Sequence, residues 1–249
     1  MKQERAVRTR QALIHSAAVA FERRGYAQTR LAEISSNAGV SPGALHFHFE
    51  NKAAVAGTVE ATAAATLRRT TTQARQAGAN ALERLTGTSR ALAETLSDDV
   101  VARAGYHLSC EASDGTSLDL RGEWYGCVRR LVAEAAAENL LADHVAEGDA
   151  VASIVAATVG FEVLGRADPQ WLSAEVLARF WRLVLPSLLT AEALATLDAV
   201  ANFDYANSPE TASRKTSPAE TASGVPQGHD VTAVTLRDAG QEPVSFLPR

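Results

Sequence analysis

The sequence predicts an all-α fold, and three observations carry that prediction. Alanine is abundant and aromatic residues make up only 6% of the 249, a composition that favours helices over sheets. Apolar residues recur at helical spacing along most of the chain, and no β-type alternation runs for more than a few residues. Gly, Asp and Ser residues stand where one apolar stripe ends and the next begins.

The first stripe, Ile14, Ala17, Ala18 and Phe21, defines a helix over residues 5–24, and Gly25 follows as its stop. Thr29 is suited to cap a helix over residues 30–38, with Leu31 and Ile34 facing inward. Gly39 breaks the chain before Ser41 and Pro42, which open another helix. Serine caps it, and proline suits the first helical position because its missing N–H would be unpaired there anyway. Val40 can close on Leu45 as a hydrophobic staple. An alanine-rich helix starts around Asn51 and runs to about residue 77.

Further helices are expected at residues 80–96, 100–111, 117–141, 147–165 and 172–189. The third of these carries the stripe Leu120, Trp124, Cys127, Val128, Leu131 and Ala135. The fourth has Val151, Ile154, Val155 and Thr158, and the fifth Leu177, Phe180, Trp181, Val184, Leu185 and Leu188. From about Asp204 five of the eight prolines fall among Ser, Thr, Ala and Glu. Such a segment buries too little to offset its ordering entropy, so a disordered tail is expected. The resulting division is a head at 1–52, a body at 53–203 and a tail at 204–249.

Charge sets the head apart from the body. Lys2, Arg5, Arg8, Arg10, Arg23, Arg24, Arg30 and Lys52 stand against Glu4, Glu22, Glu33 and Glu50, a net of +4 within a chain of −5, which leaves −9 for the rest. A basic head on an acidic body is the asymmetry of a small DNA-binding module attached to a domain with another task. A solvated basic helix is the plainer reading of the same charges. Cys110 and Cys127 stand in no metal-ligand spacing, which argues against a disulfide scaffold or a zinc site and fits a reducing compartment. The longest uncharged apolar run, residues 150–161, falls short of the ~20 residues that span a bilayer. No long apolar run follows the basic residues at the start. A soluble, cytoplasmic protein without a membrane partner is expected.

Residues 29–49, TRLAEISSNAGVSPGALHFHF, form two short helices joined at Gly39, the second almost free of bulky outward side chains. A major groove admits one helix, which approaches with its N-terminal end toward phosphate and bases. Gly43 permits that approach, and Ser41 offers a hydroxyl at the helix start. An ordinary helical hairpin also fits this pattern taken alone.

Residues 8–52 resemble the DNA-binding domain of the TetR family of transcriptional repressors. The likeness lies in Phe21, Gly25 and Tyr26, Thr29, Ile34, Ala38-Gly39-Val40, Gly43, and the Phe47-His48-Phe49 run leading to Lys52. Within that family, residues 5–25 (RAVRTRQALIHSAAVAFERRG), the stretch GALHFHFENKAAVA, and FWRLVLPSL at 180–188 are similar to the γ-butyrolactone receptor branch of actinobacterial regulators. The resemblance implies that Thr29 and Lys52 contact phosphate, that Ser41, Gly43, Ala44 and His46 line the recognition helix, and that His48 and Phe49 pack. His46 stands where the family usually has a tyrosine against the phosphate backbone. Imidazole can still donate there, with a strength that becomes pH-sensitive. The histidine variant is also similar to the pseudo-receptors of this branch, which answer to antibiotics or pathway intermediates.

For the body, the resemblance implies a helical ligand-binding and dimerisation domain. Trp124 matches the branch's pocket tryptophan and Thr158 a polar pocket position, with Val128 and Val155 beside them on their stripes. Small lactones call for an apolar cavity with one or two placed donors, and an indole supplies a flat wall plus an N–H. The plainer readings are that Trp124 is core and that Thr158 bonds back to its own helix. Trp171 and Trp181 read as packing or interface residues. The helices at 147–165 and 172–189 are apolar around much of their circumference, so each faces a partner as well as its own domain. The resemblance implies a four-helix dimer interface made from this pair, and a palindromic operator requires a dimer.

The sequence thus points to a homodimeric repressor that binds palindromic operator DNA and is released by a small diffusible signal. That signal would be a γ-butyrolactone or butenolide, an antibiotic, or a biosynthetic intermediate, and the targets antibiotic or secondary-metabolite genes. Other readings are a broad-specificity drug-sensing repressor of an efflux gene and a helical interaction module without a ligand. Against an enzyme stands the lack of GxSxG, Walker, dinucleotide and HExxH patterns. His107 with Asp114 and Asp119 can be imagined as an acid–base site, but solvated helix faces explain the carboxylates of the acid-rich body. No cofactor or metal is called for. A head of +4 implies counterion release on binding, so operator affinity should fall steeply between low and physiological salt in a filter-binding titration. A flat salt response would remove the head from the DNA contact.

Overall fold

Leu13, Ile14, Ala17 and Phe21 make one wall of the first of two apolar cores, and the helix that carries them is α1 (Lys2–Gln28). The computed structural model describes residues 2–111 and 118–200, so Asp114 and the expected tail lie outside the described residues. Among the described residues the elements are α-helices and one 3-10 turn, with no strand. Gly25 sits inside α1 at φ 73°, ψ 165° and interrupts its helical path as expected. Open space surrounds its missing Cβ, so the dihedral rather than crowding asks for glycine there.

Next come α2 (Leu31–Asn37) and α3 (Pro42–His48), separated by a turn with Gly39 at φ 67°. Ser41 caps α3 by accepting from the Ala44 N–H at 3.2 Å, and Pro42 occupies its first turn. The cap expected of Thr29 does not form, because Arg30 is the N-cap residue of α2 and makes no side-chain cap bond. Thr29 is instead buried and donates to the Gly25 and Ala20 carbonyls at 2.8 and 3.2 Å, closing the kinked end of α1. Ser16 donates to the Ile34 carbonyl at 2.8 Å and ties α1 to α2.

The body begins with α4 (Lys52–Ala77), capped by Asn51, and continues through α5 (Ala81–Asp98), α6 (Val100–Glu111), α7 (Leu120–Ala137), α8 (Glu147–Gly165), α9 (Ala174–Leu188) and α10 (Ala191–Val200). Helix α7 is shorter than the expected 117–141. Asp119 caps its start, and beyond its end Asn139 takes φ 55°, turning the chain so that Leu141 pairs with Leu189. Residues 169–172, which reach only the first residue of the expected 172–189 helix, form a 3-10 turn capped by Asp168, and α9 starts afresh from a Ser173 cap. Helix α10 was not anticipated; Thr190 accepts from the Ala193 N–H at its start.

The second core gathers Leu82, Leu85, Leu96, Trp124, Val128, Leu131, Ile154 and Trp181 from the body helices. Two helices serve both cores. Val55 and Val59 of α4 lie in the first core, and Ala64 and Leu67 in the second. Ala104 and Leu108 of α6 lie in the first, and Ala102 and Tyr106 in the second. The pair packs with almost no space between at Gly105, where an added Cβ would stand 2.4 Å from the Ala63 Cβ and 2.7 Å from the Val59 carbonyl oxygen.

Helix α8 is long and apolar enough, by length and composition, to cross a membrane, although its longest uncharged run is shorter. Only 28% of that stretch is buried. Its inner face carries Glu162, 4% exposed and ion-paired, which suits a helix packed within protein. Its outer face shows Ala152, Ala156, Val163 and Leu164, and on α9 Leu183 is 79% exposed.

Overpacking of this kind costs roughly 1–3 kcal/mol. Gly105→Ala should therefore lower Tm by about 2–4 °C per kcal/mol lost in a chain of this size. Gly57→Ala on α4, where the new methyl meets open space, should leave Tm unchanged or higher. A melt showing the two variants alike would remove the close approach of α4 and α6.

Candidate nucleic-acid interface and ligand cavity

Helix α3 turns Leu45 inward, and Phe49 just beyond its end is also buried, so its other side is left bare. Ser41, Gly43 and His46 are exposed on that bare side and Ala44 is half-buried, so the four expected recognition residues share one short helix. A Cβ at Gly43 would meet only the Ser41 Oγ at 4.0 Å. The helix itself would accept a side chain, and what the glycine leaves open is the approach from outside.

One expectation fails here. The helix is not free of bulky outward groups, because Phe47 is 81% exposed beside His46. An apolar ring held toward solvent on a recognition helix suits contact with thymine methyls or sugars. Sequence reading missed it because the Phe47-His48-Phe49 run looks like packing. His48 is half-buried between the rings of Phe47 and Phe49, at 5.2 and 6.4 Å, and the Arg10 guanidinium lies 5.5 Å from the Phe49 centroid.

Thr29 and Lys52, expected to hold phosphate, have other work in this structure. The Thr29 hydroxyl points inward, as described. The Lys52 ammonium donates to the carbonyls of Tyr26, Ala27 and Thr29 at 2.8, 3.1 and 3.2 Å and lies 4.4 Å from the Tyr26 ring centroid. All three of its N–H donors are thereby used on the end of α1, where a cation also meets the negative end of the helix dipole. Lys52 clamps the start of α4 to the head.

In the body, a cavity of about 590 Å3 opens between α4 and α7. Leu67, Leu92, Tyr106, Leu120, Trp124 and Cys127 form its apolar part, and Arg68, Thr71, Arg75, Glu123 and Arg130 its polar part. The volume is that of a small-molecule site. Trp124 walls it, as expected, but its Nε1–H donates to the Thr158 Oγ1 at 2.8 Å, and Thr158 in turn donates to the Ile154 carbonyl at 2.8 Å. The indole donor is therefore already satisfied, which leaves Trp124 an apolar wall group of the cavity.

Thr158 does not line this cavity. It borders instead a small void of about 20 Å3 that Trp124 also lines. Val128, fully buried, and Val155, half-buried, line neither space and are packing residues. The three arginines were missed, although the row Leu67, Thr71, Arg75 at four-residue spacing marks one face of α4.

A largely half-buried ion-pair chain, centred on buried Glu162, connects the head to the body. Glu22 of α1 accepts from Arg103 at 2.9 Å and faces the Nδ1 of His107 at 2.7 Å. The Nε2 of His107 lies 3.2 Å from Glu162 of α8, which also binds Arg121 at 2.6 Å and Arg166 at 3.0 Å. Arg166 reaches Glu111 at 3.6 Å.

Burial pushes the Glu162 carboxyl up, but the bonds from His107 and Arg121 and the charge of Arg166 outweigh it and hold the group at about 2. Burial likewise pulls His107 down, and its contacts with Glu162 and Glu22 overcome this and raise it above the usual histidine value. An imidazole with a carboxylate at each nitrogen must donate from both, so it carries its charge. A crevice of about 500 Å3 runs along this chain, between the end of α1 and α6. The acid–base set considered from sequence does not assemble, because Asp119 caps α7 at the Gly122 N–H and His107 is bound elsewhere.

Head, shared helix and cavity together define a helix-turn-helix regulator of the type that couples DNA contact to a small-molecule site. Residues 13–59 match the family described as bacterial regulatory proteins, tetR family. It is 28% identical over 210 residues to the A-factor receptor protein of Streptomyces griseus, covering 82% of this chain and 72% of that protein. Among solved structures, a γ-butyrolactone receptor described as ArpA-like is 27% identical with a TM-score of 0.66, over 76% of this chain and 92% of that one. CprB from Streptomyces coelicolor, solved in complex with its biological operator sequence, is 28% identical with a TM-score of 0.65, over 80% and 99%. These relatives are regulators rather than enzymes.

His107 contributes stability that is complete below 6.5 and is lost as pH rises through its raised folded value. Glu22 and Glu162 contribute above 4.5 and lose their part as pH falls, for Glu162 toward about 2. The chain of charges is whole between those limits. Raising pH from just below 6.5 should therefore lower the wild-type Tm relative to His107→Gln, about 2–4 °C per kcal/mol lost. Parallel melting curves across that range would show that His107 does not hold a bridging proton.

Proposed function

We propose that the chain is a homodimeric, ligand-responsive repressor whose α3 reads a palindromic operator and whose body cavity takes a small diffusible signal. Residues 1–52 serve as the DNA-reading head, 53–203 hold ligand and partner, and α8 with α9 form the dimer face. The single observation that carries the reading is α4. The helix that Lys52 clamps to the head also supplies Leu67, Thr71 and Arg75 to the cavity wall.

A ligand that favours one position of α4 therefore acts on the head, and release follows if that position misfits the operator. DNA contact would come from Ser41, Gly43, Ala44, His46 and Phe47, with exposed Arg5, Arg8 and Arg30 near phosphate. The uncovered apolar side of α8 supports a partner copy, since isolated chains rarely leave such a surface bare. Likeness to γ-butyrolactone receptors supports a diffusible signal and targets in antibiotic or other secondary metabolism. The same composition supports a cytoplasmic protein.

Genomic-library footprinting with and without culture extract tests the reading. A two-fold symmetric footprint bound by a dimer and lost with extract is expected. Trp124→Phe, which keeps a ring but narrows the wall, should bind operator like the wild type and need more extract for release. A normally melting variant that releases as readily as the wild type would take Trp124 out of the site.

A further inference from the structure

Two arginines of the cavity have no acid of their own. Arg75 ends the row that begins at Leu67 and Thr71, and its Nε is sealed from solvent without a hydrogen-bond partner. Arg130 stands one turn past Cys127 on α7. Neither is in an ion pair among the described residues, whereas Arg68 of the same cavity is gripped through two nitrogens by Glu123. Arg75, Cys127 and Arg130 line the same cavity, and both guanidiniums lie near enough to the Cys127 thiol to favour its charged form. Burial pushes that thiol up, so it remains a protonated wall group rather than a nucleophile.

A guanidinium cannot shed its charge, and the sealed Nε of half-buried Arg75 is costly while unmatched, with exposed Arg130 adding a second charge to the same cavity. A carboxylate fits its planar fork with two parallel hydrogen bonds, whereas a lactone carbonyl offers one neutral acceptor. The same cavity is lined on its apolar part by Leu67, Leu92, Tyr106 and Trp124.

We propose that the cavity takes an amphipathic anion, its apolar body on Trp124 and its acid group held by Arg75 and Arg130. The inference rests on the reading of this cavity as the ligand site. It narrows the signal from any small apolar molecule to one bearing a carboxylate or comparable acid.

Two fluorescent probes with the same body separate the cases: 8-anilinonaphthalene-1-sulfonate, and N-phenyl-1-naphthylamine, which lacks the sulfonate. With the full chain, the sulfonate should bind the tighter of the two and weaken with salt. Arg75→Gln and Arg130→Gln should each weaken it about tenfold or more, with the neutral probe held within about twofold. Arg75→Lys, which keeps the charge without the fork, should fall between. Equal affinity for the two probes, or equal losses of both in the glutamine variants, would overturn the anion preference while leaving the cavity as a binding site. Failure of both probes to bind would overturn the cavity reading and the proposal together. A thermal melt of each variant assigns any loss to binding rather than to unfolding.

Discussion

A carboxylate buried on an otherwise apolar helix sets terms that the rest of the molecule must meet. Taking Glu162 out of water costs several kcal/mol unless cations surround it, and removing one partner from such a group is more damaging than never having had it. Arg121 from α7, Arg166 just past the end of α8 and His107 from α6 supply those cations. Because His107 has a second nitrogen to satisfy, the requirement passes on to Glu22 in α1. The orientation of the head on the body is thereby tied, through one ring, to the helix whose apolar outer side is left uncovered.

What the sequence made legible was local. Gly25, Gly39, Ser41 and Pro42 act through their own dihedrals and nearest backbone, so their effect follows from their position. Lys52 and Thr29, expected to contact phosphate, bind backbone carbonyls of the head in this structure. The carbonyls they bind are near them only after α1 has kinked at Gly25. The Trp124–Thr158 bond spans 34 residues, and no periodicity predicts it. Glu162 and His107 look like ordinary solvated residues in the sequence, since burial of a charge is decided by what packs above it.

The structure also moves attention within the body. Sequence alone favoured an indole donor and a lone hydroxyl as the polar features of the ligand site. Those two groups satisfy each other, and the polar character of the cavity comes from α4 and α7 instead. Specificity on such a surface is a matter of charge and planar hydrogen bonding more than of a single placed donor.

The contact at Gly105 gives α4 a fulcrum. With no room for α4 to shift sideways into α6 near Val59 and Ala63, the easiest motion left to so stiff a rod is a tilt about that point. At 1.5 Å per residue, Arg75 lies on an arm of about 21 Å and Lys52 on one of about 14 Å. A push at the cavity end thus reappears at the clamp in the opposite sense and about two-thirds as large. The ratio is written into where a single glycine falls along the helix pair.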